Sequence, residues 1–169
     1  TPEALPALIH PKNVEMFTLH HVFTKHELHS RYDILLENYS KTINIEALTM
    51  IDMVNKLIIP AVLDYENELA ELIINKKSAS TEIVTSLEEN LLHKLAKLSE
   101  CLGKRLEYLS EQTIAVREIK DSLELAKAYR EKICLAMSEL RLIVDELEML
   151  VSSKHWKIPT YAEILNSVN

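Results

Sequence analysis

Histidine is the residue type with the most evident chemical potential near the start of this chain. His20, His21, His26 and His29 lie within ten residues of one another. His26 and His29 are one helical turn apart, a spacing at which two imidazoles could share a metal ion. Glu27 lies between them, but helical periodicity brings no third ligand onto the same face. We therefore interpret the four histidines as solvated side chains at a helix start, and a metal-binding enzyme stays a minor hypothesis.

Carboxylates provide no clearer catalytic pattern. A ferritin-like di-iron site needs Glu-x-x-His on two helices, and no glutamate here is followed by histidine three residues later. Glu66, Glu68 and Glu71 form an acidic run after Pro60, which we interpret as the charged outer face of a helix. A single glycine, Gly103, cannot form a Gly-rich phosphate loop. The sequence therefore predicts no catalytic, cofactor-binding or metal-binding residue.

The two cysteines are the remaining candidates for chemistry. Cys101 and Cys134 lie symmetrically about a predicted connection at residues 117–119, which would place them at similar heights on neighbouring helices. A disulfide is geometrically conceivable, whereas two buried thiols are typical of a reducing compartment. The sequence favours thiols and a cytoplasmic location, and it leaves the pairing open.

Composition indicates a helical protein. The 169 residues are 47% hydrophobic, with one glycine and five prolines, and helix-forming residues dominate. The net charge of −7 disfavours binding to nucleic acid or to anionic membranes. No apolar run is long enough to span a membrane, and no signal-peptide pattern is present.

The first predicted long helix begins at Thr24, because Thr24-Lys-His-Glu27 matches a capping box. Pro60 lies inside the helix and should kink it, since proline removes one backbone hydrogen bond. The apolar stripe keeps a three- and four-residue spacing across the proline. Its members are Leu28, Tyr32, Leu35, Tyr39, Ile43, Ala47, Met50, Val54, Ile58, Ala61, Tyr65, Leu69 and Leu72 or Ile73.

Two further long helices follow. A loop at 76–81 precedes the second helix, which Ser80 or Thr81 should cap, and Asp121 to Glu124 resembles a capping box for the third. The second stripe consists of Val84, Leu87, Leu91, Leu95, Leu98, Leu102, Leu106, Leu109, Thr113 and Val116. The third consists of Ala126, Tyr129, Ile133, Met137, Leu140, Val144, Leu147 and Val151.

These patterns predict an all-α fold: an antiparallel helical bundle built on three long amphipathic helices. The second and third helices have equal lengths and a short connection, so they should form a hairpin. The first helix is longer, so it should project past the hairpin with an apolar face that needs a partner. We therefore expect the chain to self-associate. Thr160 to Glu163 forms a further capping box for a short terminal helix.

Several ordered blocks of this sequence resemble the C-terminal region of type III glutamine synthetases, the long bacterial form of that enzyme. The second long helix matches only in pattern, and the tail departs at Lys157 and Asn166, where proline and phenylalanine are expected. The blocks are VFTKHELHSRYDILLENYSKTINIEALTM at 22–50, IPAV at 59–62 with Tyr65, LR at 140–141, DELE at 145–148, and the tail from Trp156 to Leu165 that contains Pro159-Thr160-Tyr161.

The resemblance implies a fragment of an enzyme that joins glutamate and ammonia with ATP and Mg²⁺, through a γ-glutamyl phosphate, in dodecamers of two stacked rings. It implies that residues 1–52 complete the helical part of the catalytic region and that residues 53–169 form a helical appendage. The catalytic residues lie upstream in that family, so the fragment alone should be inactive and hold no cofactor. Its expected partners are the catalytic domain of the same polypeptide and neighbouring subunits. The alternative is a free-standing helical interaction module.

Overall fold

The computed structural model describes residues 1–166, and within that range it contains helices but no strand. Seven α-helices occur in chain order, together with two 3₁₀ and two π segments. The α-helices are α1 Pro11–Leu19, α2 Lys25–Met53, α3 Ile59–Ala79, α4 Ser86–Ala115, α5 Ser122–Ala128, α6 Cys134–Leu150 and α7 Tyr161–Asn166. The 3₁₀ segments are Leu5–Ile9 and Val116–Glu118, and the π segments are Val54–Ile58 and Tyr129–Ile133.

The π segments join α2 to α3 and α5 to α6 without a break in the helical backbone. Three long helical runs therefore cover residues 25–79, 86–115 and 122–150, which confirms the predicted all-α fold with three long helices. None of the helices in the described part of the chain has the length and apolarity needed to cross a membrane.

Pro60 lies in the first turn of α3, directly after a π segment. The helix continues through the proline, and the Ile59 N–H donates to the Val54 carbonyl five residues earlier. Proline has no N–H, and its ring crowds the carbonyl four residues before it. A π turn shifts the carbonyl groups before the proline out of α-helical register. The distortion predicted at Pro60 therefore takes the form of a wider helical turn at Val54–Ile58.

The chain divides into two compact units. Unit 1 comprises Thr1–Thr49 and Leu109–Met137. Its α2 stripe is buried at Leu28, Leu36 and Ala47. The second segment of unit 1, Leu109–Met137, also contributes buried residues. They are Leu109, Thr113, Val116, Ala126, Ala128, Tyr129, Ile133 and Ala136.

Unit 2 comprises Met50–Tyr108 and Ser138–Asn169, of which the last three residues lie outside the described range. Arg105 Nη1 donates to Glu139 Oε2 at 2.6 Å, so α4 and α6 are neighbours here, consistent with the predicted hairpin. The buried apolar residues of unit 2 are Val54, Ile58, Ala61, Val62, Leu69, Ile73, Leu95, Leu102, Leu106, Leu140, Leu147, Val151 and Trp156. The predicted division at 52/53 stays a prediction.

Three positions of the predicted stripes are wrong, because Leu35, Val84 and Leu87 are exposed. Leu35 is exposed and its neighbour Leu36 is buried instead. Of the alternatives Leu72 and Ile73, the second is buried. Val84 and Leu87 are both 77% exposed.

The errors at Val84 and Leu87 follow from a wrong helix start. Helix α3 extends to Ala79, and α4 begins only at Ser86, so Ser80 and Thr81 do not cap it. The first helical bond instead joins the Glu89 N–H to the Thr85 carbonyl. Val84 therefore lies in the turn before α4.

Leu140 and Leu142 provide a matched test of the core of unit 2. Leu140 is fully buried, whereas Leu142 is 66% exposed on the same helix. We expect Leu140→Ala to lower the free energy of unfolding by about 2–5 kcal/mol, because it leaves a cavity. Leu142→Ala should change it by less than about 0.5 kcal/mol. Urea unfolding measures both, and equal losses would contradict the assigned core.

Candidate functional site

The four histidines of the cluster lie just before α2 and in its first two turns. His20, His21 and His26 are exposed and His29 is half-buried. Within residues 1–166, no group of three or more His, Cys, Asp or Glu side chains is arranged to hold a metal ion. Glu27 is the carboxylate nearest to the histidines in sequence, and its hydrogen bonds go to Thr24.

The predicted capping box at the start of α2 is confirmed. Glu27 Oε2 accepts from the Thr24 N–H at 2.7 Å and from the Thr24 hydroxyl at 2.9 Å. The Glu27 N–H donates to Thr24 Oγ1 at 3.3 Å. These bonds hold the pKa of Glu27 below its ordinary value of 4.5. The same reciprocal pattern joins Thr160 and Glu163 at the start of α7.

The acidic run of α3 is divided among three separate partners. Glu66 accepts from the Ser99 hydroxyl at 2.6 Å, and Glu71 accepts from the Asn67 amide at 3.0 Å. Glu68 instead bonds to the segment that follows α6. Each of the three carboxylates therefore bonds to a different partner, and no two of them converge on one atom. Glu68 and Glu71 are exposed, as predicted.

The Glu68 cluster is a polar contact of unit 2 between α3 and the segment that follows α6. Glu68 Oε2 lies 3.1 Å from Lys154 Nζ and 2.6 Å from His155 Nε2. The Tyr65 ring lies against the His155 imidazole, with 5.7 Å between their centroids. The hydrogen bond from His155, followed by that from Lys154, holds the pKa of Glu68 below 4.5. These contacts fasten the segment after α6 to α3.

Trp156 follows directly after this cluster and is buried. Its indole Nε1 is the one buried side-chain N or O atom in the described part of the chain that has no hydrogen-bond partner. Glu68 and Lys154 are 86 residues apart, so no local pattern in the sequence could have revealed this contact. The sequence prediction missed the cluster for that reason.

The cysteines are both free, so no disulfide joins Cys101 and Cys134. Cys101 is exposed, contrary to the favoured reading of two buried thiols, and Cys134 is half-buried. Burial raises the pKa of the Cys134 thiol above 9.0, although a hydrogen bond with Tyr39 opposes the shift. A raised pKa keeps the thiol protonated and therefore a poor nucleophile.

Unit 1 has two polar contacts of its own near Cys134. Tyr129 donates its hydroxyl hydrogen to Asn44 Oδ1 at 3.2 Å. Arg130 forms an ion pair with Glu3, which fixes the start of the chain against the third helical run. These contacts, like the Glu68 cluster, join a helix to another helix or to a neighbouring segment, and their donors and acceptors are used in doing so.

Comparisons with known proteins agree on one enzyme. Residues 1–77 match a family model described as the glutamine synthetase C-terminal domain. The chain is 40% identical over 167 residues to a glutamine synthetase of Butyrivibrio fibrisolvens, covering 99% of the chain and 24% of that protein. It is 31% identical over 170 residues to a type-3 glutamine synthetase of Dictyostelium discoideum, covering 98% of the chain and 23% of that protein.

A glutamine synthetase of Bacteroides fragilis is 23% identical over 168 residues, covering 97% of the chain and 23% of that protein. The chain thus spans about a quarter of the length of the curated relatives that it matches.

The Glu68 cluster can be tested through Trp156, which is the single tryptophan of the sequence. We expect Glu68→Gln to weaken the attachment of the segment after α6 and shift the fluorescence emission of Trp156 to the red at neutral pH. Because the pKa of Glu68 is lowered in the folded chain, its contribution is present above 4.5 and is lost as the pH falls through the folded-state value. Wild type and variant should therefore converge on acidification.

Glu71→Gln is the matched control, because Glu71 lies one turn further along α3 and bonds only to Asn67 among the contacts described for it. It should leave the emission of Trp156 unchanged. An equal red shift in both variants would contradict a specific role for Glu68.

Proposed function

We propose that this chain is the non-catalytic C-terminal helical region of a type III glutamine synthetase and serves its assembly or regulation. The observation that carries the proposal is the match of residues 1–77 to the C-terminal domain model. Near-complete coverage of this chain by its relatives, one of them described as type 3, supports the extension to the remaining residues.

The parent activity that follows from this proposal is the ATP-dependent ligation of ammonia to glutamate in the cytoplasm. The sites for ATP and Mg²⁺ that we propose lie outside this chain. Gly103 lies inside α4 and forms no phosphate loop, and no metal-binding group occurs in residues 1–166. We therefore assign the nucleotide, the metal and the chemical step to the remaining three quarters of the enzyme.

Unit 1 offers a surface through which the region could attach to that remainder. Ile34, Leu35, Ile45 and Leu48 of α2 are between 41% and 64% exposed. Side chains 11 residues apart, such as Ile34 and Ile45, return to the same side of an α-helix. Exposed aliphatic residues along one helix are typical of a contact surface. The partners that we propose are the catalytic part of the enzyme and its neighbouring subunits.

The assignment predicts that activity requires the complete polypeptide. The isolated chain, incubated with ATP, Mg²⁺, glutamate and ammonia, should form no glutamine, whereas the complete enzyme should form it under the same conditions. Chromatographic detection of glutamine measures both. Glutamine formed by the isolated chain would refute a non-catalytic role, and a complete protein without synthetase activity would favour a free-standing helical module.

The exposed face of α2 predicts self-association of the isolated chain. Sedimentation velocity should show a concentration-dependent increase in mass, because apolar contacts replace water on this face. The double variant Ile34→Asp and Ile45→Asp should shift the population to monomer. Asn90→Asp is the control, since it adds charge at an exposed polar position of a different helix, α4. A monomeric wild type at high concentration would contradict the prediction.

A further inference from the structure

The connection between α3 and α4, residues 80–85, is held by contacts on both of its sides. Lys76 forms an ion pair with Glu88, and Lys77 Nζ lies 2.5 Å from Glu89 Oε1. The Thr85 hydroxyl donates to the same Glu89 oxygen at 2.9 Å. The last turn of α3 is therefore fastened to the first turn of α4, and the connection is fixed between them.

Further bonds order the connection itself. The Glu82 N–H donates to the Ser80 hydroxyl at 3.2 Å, and the Ile83 N–H donates to the Ser80 carbonyl at 3.3 Å. Thr85 is buried. A segment with this number of hydrogen bonds and ion pairs has little conformational freedom to lose when it binds a partner.

This ordered connection displays aliphatic side chains to water. Ile83 is 41% exposed, and Val84 and Leu87 are each 77% exposed. We call these three residues the apolar tip. Single exposed aliphatic residues are common on protein surfaces, but here two belong to the connection and the third to the first turn of α4, which is fastened beside it, so they form a pre-organised contact. The ion pairs therefore support a surface that unit 2 does not itself cover.

We propose that the apolar tip of Ile83, Val84 and Leu87 docks into an apolar depression on the catalytic part of the same glutamine synthetase polypeptide. The inference rests on the proposed function, because it needs the remainder of that enzyme as the occupant. About three quarters of the length of the relatives lies outside this chain. A partner surface of ample size is therefore available within one polypeptide.

The size of the tip favours a tethered partner. Three side chains cover far less than the roughly 800 Å² per partner of a stable interface between separate proteins. Covalent linkage replaces free association with an effective concentration on the order of millimolar, at which a small contact suffices. The tip alone is thus too small to hold a second copy of the chain.

The surrounding charges argue against a lipid surface as the occupant. The two lysines beside the tip are each paired with a glutamate, and Glu82 adds a negative charge within the connection. An anionic membrane attracts unpaired basic residues and repels a neutral or acidic rim. A protein surface with an apolar depression is the partner that fits both the side chains and the charges.

Photo-crosslinking in the complete enzyme tests this docking. The photoreactive amino acid p-benzoylphenylalanine replaces Val84, an exposed position where a large side chain meets no packed core. Irradiation should give an internally cross-linked product with the mass of one subunit, and mass spectrometry should join position 84 to a peptide of the catalytic part. Adding Leu87→Asp should abolish this product, whereas Asn90→Asp, at an exposed polar position of α4, should retain it.

The other outcomes overturn the proposal. A product of twice the subunit mass would identify a second copy as the occupant. The absence of a product, in a preparation that still synthesises glutamine, would show that the tip faces solvent, and would leave the proposed function intact. If the complete enzyme sedimented with vesicles of phosphatidylcholine and phosphatidylserine, and the Leu87→Asp variant did not, the occupant would be a membrane instead. A preparation without synthetase activity would refute the proposed function itself.

Discussion

Burial of one aliphatic stripe on each long helical run is the constraint on which the rest of this structure depends. Helices of this length gain most of their stability from packing of an apolar face, because intrinsic helix propensity contributes little in water. Leucine, isoleucine, valine and alanine supply nearly all of the buried side chains in both units. With only 5% aromatic residues, the chain has few large rings to fill gaps, so the aliphatic spacing must match the helix period closely.

The two π segments show how that match is reached. Val54 and Ile58 are both buried and lie four residues apart, and Tyr129 and Ile133 repeat the arrangement. A four-residue step advances a side chain by about 40° around an α-helix beyond a complete turn, so repeated steps of four move the stripe off its face. A π turn has more residues per turn and takes up part of this excess. The three- and four-residue pattern of the sequence thus predicts the helical runs, but it does not locate the π turns.

Much of the fold could be predicted because it depends on local spacing and capping. The capping boxes at Thr24 and Thr160 and most of the stripe positions need only neighbouring residues. The prediction of where α4 starts failed because Ser80, Thr81 and Thr85 are all suitable capping residues. Which of them precedes the helix depends on ion pairs between two different helices. The Glu68 cluster was not predicted for a related reason, since its partners are brought together only by folding.

The same distinction separates the polar side chains of this chain from its exposed aliphatic ones. Polar side chains such as Glu27, Glu66 and Tyr129 are engaged in capping and in helix-to-helix hydrogen bonds. Aliphatic side chains that no part of their own unit covers occur on α2 in unit 1 and at the apolar tip in unit 2. A chain selected to function alone would gain solubility from polar residues at such positions. Their occurrence on ordered elements is expected of a region whose surface is covered by a larger protein, and the chain spans about a quarter of the length of the curated relatives that it matches.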